Sequence, residues 1–209
     1  TGTPVNTKTP TPVAPTLNFL PSADAQVNDS YPTTNYGNSP QLRVRSSGPA
    51  YRSYLKFVIT GVSAPVQSAK LRLYVIDAST AGGSIYPVSN NYLNTTTPWT
   101  ESGLTWQKAP LLSGAPLSTL GAVAVNTWVE YNVTAAIQGN GTYNFAISST
   151  STNSVYFNAK EATTNRPVLV ISLTKTVAGT SAEQAPADAP DSVEAENQDN
   201  RVFLPMVIR

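Results

Sequence analysis

The sequence predicts an all-β sandwich of jelly-roll type, and three observations predict it. Short runs of alternating apolar and polar residues recur through the middle of the 209-residue chain, and a period of two marks a half-buried strand. Gly, Pro, Asn and Ser separate the runs, as turn chemistry requires. No segment sustains a helical period of 3.6 residues. Many short strands with such turns indicate two packed β-sheets.

Residues 1–16, TGTPVNTKTPTPVAPT, form a Pro/Thr-rich leader. Closely spaced Pro favours an extended polyproline-II path without internal hydrogen bonds. Exposed Thr beside Pro also suits an O-glycosylated stalk, and a flexible leader is the simpler reading.

The body follows over residues 17–174, long enough to bury a core. Its first strand candidates are 17–20, 24–27 and 41–45. In the run 51–59, Tyr51, Ser53, Leu55, Phe57 and Ile59 share one face, while Arg52, Tyr54, Lys56 and Val58 share the other. In 69–75, Ala69, Leu71, Leu73 and Val75 point inward and Lys70, Arg72 and Tyr74 outward. Further candidates are 84–88, 104–107, 128–133, 143–148, 154–159 and 167–173. A helical turn is expected after Thr134, whose hydroxyl can cap residues 135–138. The expected core includes Leu55, Phe57, Leu71, Leu73, Val75, Trp106, Phe145, Ile147 and Phe157. Trp128, in a strand candidate, joins it, whereas Trp99 follows Pro98 in a turn-rich stretch and is expected at the surface.

Residues 175–200 are rich in Ala, Pro, Glu, Asp and Ser, a composition that cannot bury enough apolar surface to fold. Behind this linker stands an apolar, strand-like tip, residues 201–209. An apolar tip on a polar tether needs a partner. It can return to its own domain, dock on another copy or act as a sorting signal.

The charge balance of +1 excludes an ordinary nucleic-acid binder, which carries a basic excess. Within the body nine bases face six acids, and the linker holds six acids (Glu183, Asp188, Asp191, Glu194, Glu196 and Asp199). No apolar run is long enough for a transmembrane helix. The absence of a starting Met, with low charge and abundant Thr and Asn, points to a processed, exported protein. The chain has no Cys and no His, so it lacks thiolate chemistry and the usual imidazole base and metal ligand.

Several segments together resemble a known family. They are Leu17-Asn-Phe-Leu-Pro-Ser-Ala-Asp-Ala25, Pro32-Thr-Thr-Asn-Tyr-Gly37, Arg52-Ser-Tyr-Leu-Lys-Phe57 and Ser68-Ala-Lys-Leu-Arg-Leu-Tyr74. Trp99-Thr-Glu-Ser-Gly-Leu-Thr-Trp106 with Pro110, Val133-Thr134, Phe157-Asn-Ala-Lys-Glu161 and Pro167-Val-Leu-Val170 complete the series. In order and spacing they resemble the DNRLRE-type domain, close to carbohydrate-binding module family 96, over about residues 17–173. The resemblance implies a secreted β-jelly-roll of the kind appended to polysaccharide-degrading enzymes or large surface proteins. It also implies that some relatives bind acidic glycans such as alginate. Both tails lie outside it.

Candidate site residues follow. Asp24, Asp77, Glu101, Glu130 and Glu161 are the carboxylates from which a glycosidase pair would be drawn, but no spacing pairs them. No catalytic residue is expected. Asp24 and Glu161 sit in motif segments that a jelly-roll can bring together, and Ca²⁺ takes such loop oxygens. Turn hydrogen bonding is their simpler role, and no other cofactor is expected. Arg52, Tyr54, Lys56, Lys70, Arg72 and Tyr74 would form a basic, aromatic stripe if their two runs were neighbouring strands. Such a stripe would hold a carboxylated sugar chain by ion pairs and ring stacking. The alternative is a solvated outer face, or stems buried beneath loops. Asn28, Asn94 and Asn140 head Asn-X-Ser/Thr triplets and are candidate glycan acceptors. Asn132 heads a fourth but lies in a strand.

The functional expectation ranked first is a secreted structural protein that polymerises head-to-tail into a filament or surface layer. Val202, Phe203, Leu204, Pro205, Met206, Val207 and Ile208 would dock as a donor strand on another copy. Pro205 suits an edge position, and the linker reaches roughly 85–95 Å when extended. Second stands a carbohydrate-binding module for an acidic polysaccharide. Third is a monomeric surface protein whose tip folds back on its own sheet.

Overall fold

The computed structural model describes residues 14–175. Eleven strands are found there: Thr16–Phe19 (β1), Ala23–Asn28 (β2), Gln41–Val44 (β3), Tyr51–Ile59 (β4), Val66–Asp77 (β5) and Gly83–Pro87 (β6). Ser118–Leu120 (β7), Thr127–Asn132 (β8), Gly141–Ser148 (β9), Val155–Asn158 (β10) and Val168–Leu173 (β11) follow. Two three-residue 3₁₀ turns, Glu101–Gly103 and Thr134–Ala136, are the helical elements among these residues.

The strands form two antiparallel sheets packed as a jelly-roll sandwich. The first runs β1-β11-β5-β10-β3, with β8 paired to β5; the second runs β2-β4-β9-β6-β7. Between them lie Leu55, Phe57 and Ile59 of β4, Leu71, Leu73 and Val75 of β5, and Phe145, Ile147 and Phe157. Phe57 and Phe145 meet at 6.3 Å between ring centroids. These are the inward residues that strand alternation predicts, because every second side chain faces the same side.

A second apolar cluster lies on the outer side of the second sheet. Ala23, Ala25 and Val27 of β2, Tyr54 of β4 and Ala146 of β9 pack there with Trp99, Leu104 and Ala109. The last three belong to the long connection between β6 and β7, which therefore covers this sheet face. The core thus spans three layers on this side, and two expectations change. Trp99 is 1 % exposed and belongs to the interior, whereas Trp106 and Trp128 are half-buried.

Residues 104–107 form no strand. Leu104 N–H donates to Thr100 O and Lys108 N–H to Thr105 O, so turn bonds consume the backbone groups that a ladder would use. β7 lies outside the strand candidates, for it is short and bordered by Pro and Gly. The 3₁₀ turn after Val133 is present, but Thr134 does not cap it by its side chain. Its hydroxyl accepts Ala69 N–H at 2.9 Å and lies 2.7 Å from Asn132 Oδ1, which also accepts Thr134 N–H. The proximal part of the leader, the acidic linker beyond Lys175 and the apolar tip with Val202–Ile208 all lie outside the described residues.

Candidate functional site

The outward residues of β5 and β8 meet on the exposed face of the first sheet. Alternation along β5 turns Lys70, Arg72 and Tyr74 outward, between buried Ala69, Leu71, Leu73 and Val75. Alternation along β8 turns Trp128 and Glu130 outward beside buried Tyr131. The register sets Arg72 opposite Glu130 and Tyr74 opposite Trp128. The two rings pack edge-to-face, 5.4 Å apart at 69°, an arrangement that ring quadrupoles favour. The Arg72 guanidinium lies 5.0 Å from the Trp128 ring centre. Glu130 is shared: Oε2 lies 2.7 Å from Lys70 Nζ and Oε1 3.2 Å from Arg72 Nε.

These ion pairs are open to water, with Lys70 about half exposed, and such pairs add little stability. An aromatic pair flanked by cations and a carboxylate can pack a ring against a sugar and bond its hydroxyls or carboxylate. The sequence expectation places Trp128 in the core, yet the signal for its outward position is present. In the run 128–133 it shares parity with Glu130 and alternates with Val129 and Tyr131.

The six-residue stripe does not form, because β4 and β5 belong to opposite sheets. Arg52, Tyr54 and Lys56 lie under the β6–β7 connection instead. Tyr54 is fully buried and its hydroxyl donates to Pro110 O at 3.0 Å. Lys56 Nζ donates to Trp99 O and sits 4.2 Å from that ring centre, and burial pushes its ammonium pKa down. Arg52 stacks at 4.6 Å on Trp106. These cations fasten the connection to the sheet, with their stems packed under it.

Asp24 and Glu161 do come together, and Glu101 joins them. One carboxylate oxygen from each lies within 4.8 Å of the others. Asp24, on β2, is 1 % exposed; Glu101 opens a 3₁₀ turn that the β6–β7 connection folds back onto β2. Glu101 Oε1 accepts Asp24 N–H at 2.9 Å, and Asp24 Oδ2 accepts Lys160 N–H at 2.7 Å. Burial, opposed by that Lys160 hydrogen bond, pushes the Asp24 pKa up to about 8. Lys160 Nζ bridges Glu161 Oε1 at 2.6 Å and Glu101 Oε2 at 3.2 Å, and bonding to Glu161 raises its pKa. Glu161 Oε2 is buried without a hydrogen-bond partner among the described residues. The arrangement offers hard oxygen ligands from three separate segments. On sequence, Glu101 stands only among the unpaired carboxylates.

Of the Asn acceptors, Asn28 is 1 % exposed and its Oδ1 accepts Ser30 N–H, so burial closes it to a glycan. Asn94 is exposed in a left-handed turn with φ 57. Asn140 is exposed, its Oδ1 accepting Val62 N–H.

Among known proteins, the family model described as carbohydrate-binding module family 96 matches residues 15–173. No curated protein matches the chain.

Proposed function

The chain belongs to carbohydrate-binding module family 96, and on that premise we propose that it binds an acidic polysaccharide outside the cell, without catalysis, on the exposed face of β5 and β8. The observation that carries this reading is the half-buried Tyr74–Trp128 ring pair, on the outer sheet face beside Lys70 and Arg72. Rings supply the stacking surface for the apolar side of a sugar, and the two cations outnumber Glu130 locally. The excess of bases in the body, nine against six acids between 17 and 174, agrees with an anionic ligand. Head-to-tail assembly rests on residues 202–208, outside the described residues. Family membership supports the carbohydrate reading ahead of it.

Affinity gel electrophoresis of the full chain tests this. Alginate should retard the protein more than a neutral glucan, and added salt should weaken the retardation. Trp128→Ala should weaken binding about tenfold or more, the scale of one buried aromatic contact. Equal mobility in both gels and in plain gel would end the proposal.

A second proposal concerns the Asp24–Glu101–Glu161 cluster: it holds a hard divalent cation, Ca²⁺ by its oxygen donors. Support comes from convergence of three segments within 4.8 Å and from the unpartnered, buried Glu161 Oε2. In this reading the Lys160 ammonium swings outward as the cation enters, and Asp24 gives up its proton. Melting of the full chain with CaCl₂ and with a chelator decides it. At a hundredfold excess over Kd, a ligand adds about 2.7 kcal/mol, which is roughly 5–10 °C for a domain of this size. Glu101→Gln should shrink the shift. Identical melting with Ca²⁺ and with chelator would refute the cation.

A further inference from the structure

We infer that the sugar-binding face continues from β5 across β10 to β3, where Arg43, held between Tyr51 and Tyr156, recognises the carboxylate of an acidic sugar. The inference rests on the carbohydrate reading and adds the residue that selects an acidic ligand.

Arg43 and Tyr156 face outward by the same alternation as Tyr74. Arg43 lies between buried Leu42 and Val44, and Tyr156 between buried Val155 and Phe157. The register puts Tyr156 beside Arg43 on one side and Asp77 on the other. The strands β8, β5, β10 and β3 are therefore successive across one face. At about 4.8 Å per strand this face is roughly 14 Å wide, wider than one sugar ring covers. Across β3, β5 and β10 lies an open cavity of about 350 Å³, lined by Gln41, Ile76, Asp77 and Tyr156.

What singles out Arg43 is its combination of rigidity and missing counter-charge. Its guanidinium carbon lies 4.0 Å from the Tyr51 ring centre and 5.0 Å from that of Tyr156. Nε and Nη2 both donate to Ser154 Oγ, at 3.0 and 2.9 Å. Two rings and a hydroxyl thus fix the guanidinium plane, yet all three partners are neutral. Among the described residues no carboxylate lies within ion-pair distance of it, whereas Arg72 and Lys70 already share Glu130. A pre-oriented guanidinium without a counter-charge is suited to bind a carboxylate from the ligand. The occupant is a linear chain carrying uronic acids. One ring stacks on Trp128 and Tyr74, the chain crosses the cavity with its hydroxyls bonded to Asp77 and Gln41, and a carboxylate meets Arg43.

The test uses the full chain with Arg43→Gln, Arg43→Lys, Tyr156→Ala and Trp128→Ala, each verified as folded by circular dichroism. Retardation by alginate is measured across a salt series, with a neutral glucan in parallel. Arg43→Gln should weaken alginate binding about tenfold and flatten its salt dependence, since one ion pair is lost. Arg43→Lys should recover the salt slope but only part of the affinity, because the charge returns without the planar fork. Trp128→Ala should weaken binding and leave the salt slope unchanged. If Arg43→Gln and Tyr156→Ala bind alginate with wild-type affinity and slope while Trp128→Ala fails, the Arg43 subsite is wrong and the face on β5 and β8 stands. If the wild-type protein is not retarded by either polymer, the carbohydrate reading itself fails.

Discussion

Phe57→Ala is expected to lower the stability of the domain by about 3–5 kcal/mol, as truncation of a buried aromatic ring does. Phe57 lies on the central pair of the second sheet, opposite Tyr143 in the β4–β9 register, and is fully buried. Its ring meets Phe145 on the neighbouring strand. Removing it deletes ring contacts in a layer closed from both sides, where neighbours on paired strands cannot collapse into the space. Urea unfolding should show a lower midpoint with an unchanged m-value, because the surface exposed on unfolding is nearly the same. A near-neutral result would mean that the β4 face is assigned the wrong way round.

Trp99→Ala should cost a similar amount, about 3–5 kcal/mol, although Trp99 is not part of a strand. Its ring is 1 % exposed in the cluster that seals Ala23, Ala25, Val27 and Tyr54 beneath the β6–β7 connection. The ring also forms the surface over which Lys56 Nζ lies, so its loss leaves a half-buried ammonium without that partner. The connection should loosen locally, and amides near Trp99 should lose protection from hydrogen exchange before those of β4 and β9. Unchanged stability and unchanged exchange would show that this third layer is only loosely laid on the sheet.

These two side chains mark what the sequence makes legible. The face of Phe57 follows from local alternation, and the same parity predicts Leu55, Leu71, Leu73 and Val75 in the core. Burial of Trp99 and Tyr54 depends on a connection folding back over the outer side of a sheet. Nothing in a period of two encodes that event, so both looked like surface residues. The stripe of six failed for a related reason. Alternation tells which way Arg52 and Arg72 point within their own strands, but whether β4 and β5 are neighbours is set by the chain's path. The three members on β5 survive as part of the outer face, where Trp128 and Glu130 complete them. The motif segments that contain Asp24 and Glu161 suffice to pair them. Glu101 cannot be paired with them in that way, because it reaches them from a loop whose course only the fold determines.

The central claim is that a sugar chain lies on the outer face of the first sheet, and residue-resolved titration tests it most directly. Isotope-labelled full-length protein is titrated with a short alginate oligosaccharide, and backbone amide shifts are followed by NMR. The account predicts movement centred on Arg72, Tyr74, Trp128 and Glu130 and extending to Arg43 and Tyr156. Amides of Tyr54 and Lys56 on the far sheet, and of Trp99 in the connection that covers it, should stay still. Shifts confined to that far side, or none at saturating oligosaccharide, would contradict it.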